Sequence, residues 1–173
     1  MKTSFVVFAA LNMLFVLTTS WAQQEYTLDE APKSKSEYLR EHVVDVGDRP
    51  GHQLRVYEIR YEYPGQDFAF AGVKVKESFT RGMSDYTNWS GSFSTYTVHM
   101  LEDGSKIFSR STGTTQSTTK ADGTRAFKFS FVADFTGGTG RFRGIRGQQR
   151  GSGERAAGAN SLTQQSSGEY WLE

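Results

Sequence analysis

The sequence predicts an all-β protein, specifically an eight-stranded antiparallel closed β-barrel with an N-terminal arm. Beyond residue 50 the chain divides into segments of roughly 8 to 12 residues rich in Tyr, Phe, Val, Thr and Ser, separated by turn signals. No segment in this region has a long 3.6-residue periodicity, which argues against helices. A set of about eight antiparallel strands must cover its edges, and we expect closure into a barrel in preference to a sandwich.

The expected strands follow one another with short connections, as in a meander. Tight turns such as Asp103-Gly104 and Asp122-Gly123 connect several of them, because Gly accepts the positive φ of a hairpin. Segment 124–136 has the clearest period of two and places a row of apolar side chains on one face: Phe127, Phe129, Phe131, Ala133 and Phe135. The expected strands are 52–63, 68–80, 92–101, 106–116, 124–136, 141–147, 148–155 and 168–172.

Residues 1–22 are typical of a secretory signal peptide. Lys2 gives a positive start, an apolar run of about 13 residues follows, and Ser20 and Ala22 are small residues at the recognised positions. The run is shorter than the ~20 residues that cross a bilayer, so no membrane span is expected. We expect cleavage after Ala22 and a secreted or periplasmic protein. The remaining chain has 19 basic and 19 acidic residues.

Residues 23–50 form the polar N-terminal arm, and residues 51–173 form the barrel domain. Ser34 and Glu37 have the spacing of a capping box and precede the apolar Tyr38 and Leu39, which predicts a helix of one or two turns. A first strand over 43–46 is the alternative.

Composition excludes several function classes. The formal charge of +1 offers no general attraction to nucleic acid, so no nucleic-acid partner is expected. The absence of Cys removes disulfides, thiolate nucleophiles and Cys-ligated metals. The three His residues have no metal-ligand spacing, so neither a metal nor a cofactor is expected.

Three segments of the chain, in order, resemble the allene oxide cyclase and dirigent β-barrel families. They are His-Gln-Leu-Arg-Val-Tyr-Glu-Ile at 52–59, the turn Asp103-Gly104 with the strand 106–113, and Thr-Gly-Gly-Thr-Gly-Arg-Phe-Arg-Gly-Ile-Arg-Gly at 136–147. The resemblance implies a closed barrel and a homotrimer. In the cyclases the Glu of the Val-Tyr-Glu-Ile strand points into the barrel and helps steer a carbocation cyclisation, which implies an inward Glu58; the cyclase Asn that follows is Arg60 here.

The first expected barrel strand allows two orientations. Val56, Glu58 and Arg60 alternate along it and therefore share a face. If that face is inward, the carboxylate and guanidinium pair or bind the polar end of a ligand, since unpaired buried charge is costly. If it is outward, Tyr57 and Ile59 belong to the core instead. The pattern leaves both orientations open.

The predicted ligand-binding residues are Val56, Glu58, Arg60 and His99. His99 and His52 are also acid–base candidates, because an imidazole titrates near working pH. No residue is assigned a catalytic role. The Arg residues at 141, 143, 146, 150 and 155 are either an anion-binding group or the solvent face of strands.

We therefore expect an exported barrel that binds a small apolar or aromatic molecule. One alternative is a cyclase-like or isomerase-like enzyme that uses an inward carboxylate. The other is a surface or assembly protein whose barrel interior is packed with side chains. Whether the protein is an enzyme stays open at this point.

Overall fold

The computed structural model describes residues 25–30, 32–65 and 68–173, and about three quarters of them belong to antiparallel strands. The all-β prediction is confirmed. In this part of the chain the sole helical element is a 3₁₀ turn at Gly140–Phe142, and no helix is long and apolar enough to cross a membrane. The predicted signal peptide, residues 1–22, lies outside the described residues.

The structure has ten strands in the described ranges. The predicted strands 52–63, 92–101, 106–116 and 124–136 are confirmed to within three residues at each end. The predicted strand 68–80 instead covers the short strand Ala69–Phe70, a turn at 71–72 and the first half of the strand Val73–Thr87, and the predicted strand 168–172 is the last part of the strand Ser161–Leu172. The strands are β1 (Glu25–Glu30), β2 (Lys33–Asp45), β3 (His52–Glu62), β4 (Ala69–Phe70), β5 (Val73–Thr87), β6 (Ser90–Leu101), β7 (Lys106–Thr119), β8 (Arg125–Gly138), β9 (Ile145–Ala156) and β10 (Ser161–Leu172).

The strand pairings form a ring of eight. From β10 the order runs through β2, β3, β5, β6, β7, β8 and β9, and β9 pairs with β10 again. Strands β2 and β10 pair through a short segment, Lys33–Lys35 against Ser161–Thr163. Strand β1 continues this edge by pairing with β10 over residues 166–171. All of these pairings are antiparallel.

The N-terminal arm is part of the sheet, and its predicted helix is wrong. Residues 33–45 form β2, which pairs with β3 and shifts register between Tyr38 and Arg40. Residues 33–45 are extended because of interactions with a strand that is distant in sequence. Strand β3 has a free edge that needs a partner, and aromatic and β-branched residues such as Tyr38, Val43 and Val44 suit an extended chain better than a short isolated helix.

The predicted strand over 141–147 is also wrong at its start. The chain makes a 3₁₀ turn there that buries Phe142, and β9 begins only at Ile145. Gly140 and Gly144, at φ +60° and +80°, allow the chain to reverse on both sides of this turn. The strand predicted over 148–155 is the remainder of β9.

The hydrophobic core fills one end of the ring, which we call the core end. The connection between β3 and β5 folds inward here and buries Phe68 and Phe70. The ring of Phe70 packs against Phe135 and Tyr170, with centroids 5.6 and 5.5 Å away. The Ala71 N–H donates to the Tyr170 Oη at 2.7 Å and fixes the connection in place. The opposite end of the ring, the open end, carries the β5–β6 turn.

Candidate ligand cavity

Alternate side chains of the ring face a cavity of about 210 Å³ between the core end and the open end. We call this side of the sheet the inner face. On β3 it carries Arg55, Tyr57, Ile59 and Tyr61. Much of the lining is aromatic, from Tyr38, Tyr57, Tyr61, Tyr63, Phe68, Tyr86, Trp89, Phe93, Phe127, Phe129 and Phe131. An aromatic wall of this kind suits an apolar or aromatic ligand.

Several of these rings lie flat against the wall because the neighbouring strand has Gly at that point. A Cβ added to Gly82 would lie 2.7 Å from the Tyr57 ring, and one added to Gly153 would lie 2.3 Å from the Phe129 ring. Carbon atoms normally stay about 3.5–4.0 Å apart, so no side chain fits beneath the rings. The rings occupy the space above the glycines, and the centre of the cavity stays open.

The polar lining consists mainly of hydroxyl groups that bond across neighbouring strands. Thr80 pairs with Thr97 at 2.8 Å, and Thr95 pairs with Ser111 at 2.5 Å. Three buried polar atoms in the described residues have no hydrogen-bond partner: Ser84 Oγ, His99 Nε2 and Gln149 Oε1. All three belong to residues that line the cavity. Since buried polar groups are rarely left unpaired, this wall suits a ligand with polar groups or bound water.

His99 lies deep in the cavity and is held by a chain of hydroxyls. The Tyr63 Oη donates to Ser78 Oγ at 3.0 Å, and Ser78 Oγ lies 2.7 Å from His99 Nδ1. Either Ser78 Oγ or His99 Nδ1 is the donor of this bond, depending on which ring nitrogen of His99 carries the proton. Burial lowers the pKa of His99 to about 4, so its imidazole is neutral at pH 7. Burial also raises the pKa of Tyr63 to about 12, which keeps its phenol protonated.

Two guanidinium groups, and no carboxylate or ammonium group, belong to the lining among the described residues. Arg55 donates to Glu41 through Nε at 3.1 Å and through Nη2, and stacks on the Trp89 ring at 3.9 Å. Arg155 is half-buried, lies 5.7 Å from the Tyr38 ring centroid, and has no carboxylate within ion-pair distance in the described part of the chain. The two arginines therefore differ in how fully they are neutralised.

The β5–β6 turn places Trp89 over the open end. Asn88 and Trp89 have φ of +51° and +68°, the left-handed conformation that Asn and Gly adopt in tight hairpins. For Trp this conformation costs about 1–2 kcal/mol. The Trp89 ring packs against Arg55 and lies 5.5 Å from the Phe127 ring on β8. These contacts hold the strained turn and connect opposite sides of the ring.

The structure places one of the four predicted ligand-binding residues, His99, in the cavity lining. Val56, Glu58 and Arg60 lie on the other side of β3, the outer face, where Val56 is 55% exposed. The inward orientation implied by the family resemblance for Glu58 is therefore not the one observed. The outward alternative buries Ile59 and much of Tyr57 and leaves Glu58 and Arg60 on the outer face.

Glu58 and Arg60 do not pair with each other, because each finds a partner on an adjacent strand. The Glu58 Oε1 lies 2.6 Å from Arg81 Nη2, and Arg60 Nε donates to Glu77 at 2.8 Å. The hydrogen bond to Glu77 raises the pKa of Arg60, which stays charged. These contacts describe an ion-pair row on the outer face.

His52 lies outside the cavity lining, between two carboxylates. Its Nδ1 is 2.5 Å from Asp48 Oδ1, and its Nε2 is 2.7 Å from Asp85 Oδ1. The hydrogen bond to Asp48, and after it the one to Asp85, raises the pKa of His52. The same bond lowers the pKa of Asp48. No group of three or more metal-ligating side chains with a suitable arrangement occurs in the described ranges.

Sequence reasoning missed most of the residues that shape the cavity. Arg155 was grouped with Arg150, yet the two are five positions apart on one strand, and an odd separation places them on opposite faces. Gly82, Gly151 and Gly153 interrupt strand segments at positions opposite aromatic residues. Gly within a strand is a signal of close approach by another group, and it could have pointed to the flat rings.

Comparisons with protein-family models, with curated proteins and with solved structures find no match for this chain. The function of the chain is therefore inferred from the geometry of the cavity and from the residues that line it.

Proposed function

We propose that the ring of eight strands closes as a β-barrel of the allene oxide cyclase and dirigent kind, and that the protein binds a small aromatic molecule in its interior. The observation that carries this proposal is the cavity of about 210 Å³ with rings lying flat over glycines of its wall. A barrel of eight strands has an interior just wide enough for side chains or for one small ligand. Here the glycines leave the room that a ligand needs.

The size of the cavity limits the ligand to one or two fused rings. Aromatic groups of this size bury roughly 200 Å² of surface, which at about 25 cal/mol per Å² contributes about 5 kcal/mol. Costs of association reduce this figure, and polar contacts add to it. We therefore expect dissociation constants on the order of 0.1–1 mM for simple apolar probes, and tighter binding for a ligand that also satisfies the polar wall.

Two further parts of the proposal have separate support. Export to the periplasm or the exterior is supported by the signal-like residues 1–22. A homotrimer is supported by the family resemblance of the three sequence segments. A cyclase mechanism with an inward carboxylate is not proposed, because no Asp or Glu belongs to the cavity lining in the described residues.

Isothermal titration calorimetry with 2-naphthalenemethanol tests the proposal. Ser111 faces the cavity and Thr112, the next residue of β7, is exposed. Ser111→Phe fills the cavity and should abolish binding, whereas the matched variant Thr112→Phe should leave it unchanged. Binding that survives Ser111→Phe, or no binding of the probe to the wild-type protein, contradicts the proposal. Native mass spectrometry of protein purified from its own compartment would report a ligand retained in the cavity.

A further inference from the structure

We propose that the bound ligand is an aromatic acid and that Arg155 binds its carboxylate; this inference rests on the proposed function. The aromatic wall accounts for the ring system of a ligand. It does not account for the two guanidinium groups that share the same cavity. Their positive charge favours a ligand whose polar end is negatively charged.

The charge of the cavity lining is the first observation. Arg55 and Arg155 are its charged members in the described residues; Glu41, which is not part of the lining, neutralises Arg55, and no carboxylate is paired with Arg155. His99 is neutral at pH 7 because burial lowers its pKa to about 4. The cavity therefore has a positive charge, and an uncompensated charge in a partly enclosed space favours an anion as its counterpart.

The unequal pairing of the two arginines is the second observation. Arg55 has a carboxylate partner in Glu41 and a stacking partner in Trp89, so its charge is largely satisfied. The polar contact of Arg155 is one long bond, 3.5 Å from Nη1 to Ser36 Oγ. A guanidinium group has five N–H donors in a plane, and most of those of Arg155 are free to bind a carboxylate in a forked, bidentate arrangement.

The surroundings of Arg155 hold it in position for such a bond. Its guanidinium lies near the Tyr38 ring, which favours the charged planar group. Ser36 and Tyr61 line the cavity close to it and offer hydroxyl groups. Burial raises the pKa of Tyr61, so this phenol stays protonated and can also donate to an anion.

The experiment compares an acidic probe with a neutral probe of similar size, 2-naphthoate and 2-naphthalenemethanol, by calorimetry. A hydrogen-bonded charge pair strengthens binding by about tenfold to a hundredfold, so wild-type protein should prefer 2-naphthoate by that factor. Arg155→Gln should remove the preference, so that 2-naphthoate and 2-naphthalenemethanol bind with similar affinities. Arg155→Lys should recover part of the preference, because it keeps the charge and loses the fork.

Arg150 provides the matched control. It lies on the same strand but is exposed on the outer face, so Arg150→Gln changes the net charge equally without touching the cavity. This variant should retain the full preference for 2-naphthoate. If Arg150→Gln and Arg155→Gln weaken 2-naphthoate equally, the effect is general electrostatics and the inference is wrong.

The outcomes separate this inference from the proposed function. Equal affinity of the wild-type protein for both probes, with binding lost in Ser111→Phe, overturns the role of Arg155 and leaves the binding cavity intact. Failure of both probes to bind overturns both proposals. If Arg155→Gln does not fold, equal affinity of the wild-type protein for both probes still overturns the inference, and Arg155→Lys tests the residue itself by reducing the preference.

Discussion

Replacing His99 by Gln should remove a large part of the acid sensitivity of the folded protein. The imidazole is 6% exposed and packs between Phe68 and Phe70, with ring centroids 5.5 and 5.6 Å away. Protonation would place a positive charge among these rings, and no carboxylate in the described residues is paired with it. Gln keeps an amide that can donate to or accept from Ser78, and it carries no proton that titrates in this range.

The pKa of His99 fixes the size and the sign of the effect. Burial lowers this pKa from 6.5 to about 4, so between these values the unfolded chain binds a proton that the folded chain does not. Stability is therefore fully present above pH 6.5 and decreases as the pH falls towards 4. By linkage, the His99 contribution decreases by about 2 kcal/mol between pH 7 and pH 5.

Urea unfolding followed by circular dichroism at pH 7 and pH 5 measures the effect. The wild-type protein should lose about 2 kcal/mol more than His99→Gln over this interval, because all other titrating groups are common to both chains. Thr97→Val is the control, because Thr97 is the next inward side chain on β6 and has no titrating proton. The difference in free energy of unfolding between this variant and the wild-type protein should be the same at both pH values. The same loss in wild type and His99→Gln would refute the argument.

Three other perturbations test separate parts of the structure. Gly82→Ala should push the Tyr57 ring about 1 Å into the cavity and weaken binding of 2-naphthalenemethanol, at a cost in stability near the low end of the ~1–3 kcal/mol typical of overpacking. Phe70→Ala should lower the free energy of unfolding by about 3–5 kcal/mol, measured in urea, because the side chain is fully buried at the core end. Asp48→Asn should lower the pKa of His52, measured by NMR. In the wild-type protein the pair stabilises the fold at acidic pH, and this contribution is lost as the pH rises through the raised pKa of His52. The variant should lack this contribution.

Matched variants on exposed positions define the baseline for these three tests. Met83→Ala changes the residue next to the substituted glycine on the outer face and should not affect probe binding. Val132→Ala should cost far less than the Phe70 variant, and a similar loss from both would contradict the location of the core. Asp45→Asn should leave the pKa of His52 unchanged. If it shifts this pKa as much as Asp48→Asn does, the shift comes from the loss of a nearby negative charge and not from the hydrogen bond to Asp48.

The local sequence pattern was sufficient to predict the strands whose two faces differ strongly in hydrophobicity. Segment 124–136 has apolar residues at every second position from Phe127 to Phe135, and the structure places them on the inner face or in the core, as predicted. Asp103-Gly104 and Asp122-Gly123 also form the predicted turns. In these segments the burial of large side chains and the turn residues favour the same arrangement.

The orientation of β3 could not be decided from its own residues. Leu54 and Val56 on one face compete with Tyr57 and Ile59 on the other, so both faces are partly apolar. The difference comes from β5, where Gly82 lies opposite Tyr57 and gives its ring a place on the inner face. That information is distant in sequence and depends on strand register.

The residues of β2 illustrate the same limit. The capping-box spacing of Ser34 and Glu37 is compatible with a helix, and only the free edges of β3 and β10 make the extended conformation favourable. The positive charge of the cavity could not be predicted from the sequence for a related reason. Arg155 is recognised as an inner residue only when the start of β9 and its alternation are known.

A crystal structure of the protein with bound 2-naphthoate tests the central claim most directly. We expect the eight strands to close around the probe, with its rings against Phe129 and Tyr57 and its carboxylate at Arg155. A probe bound on the outer face beside Val56 and Met83, or β2 and β10 separated so that no cavity is enclosed, would contradict the account.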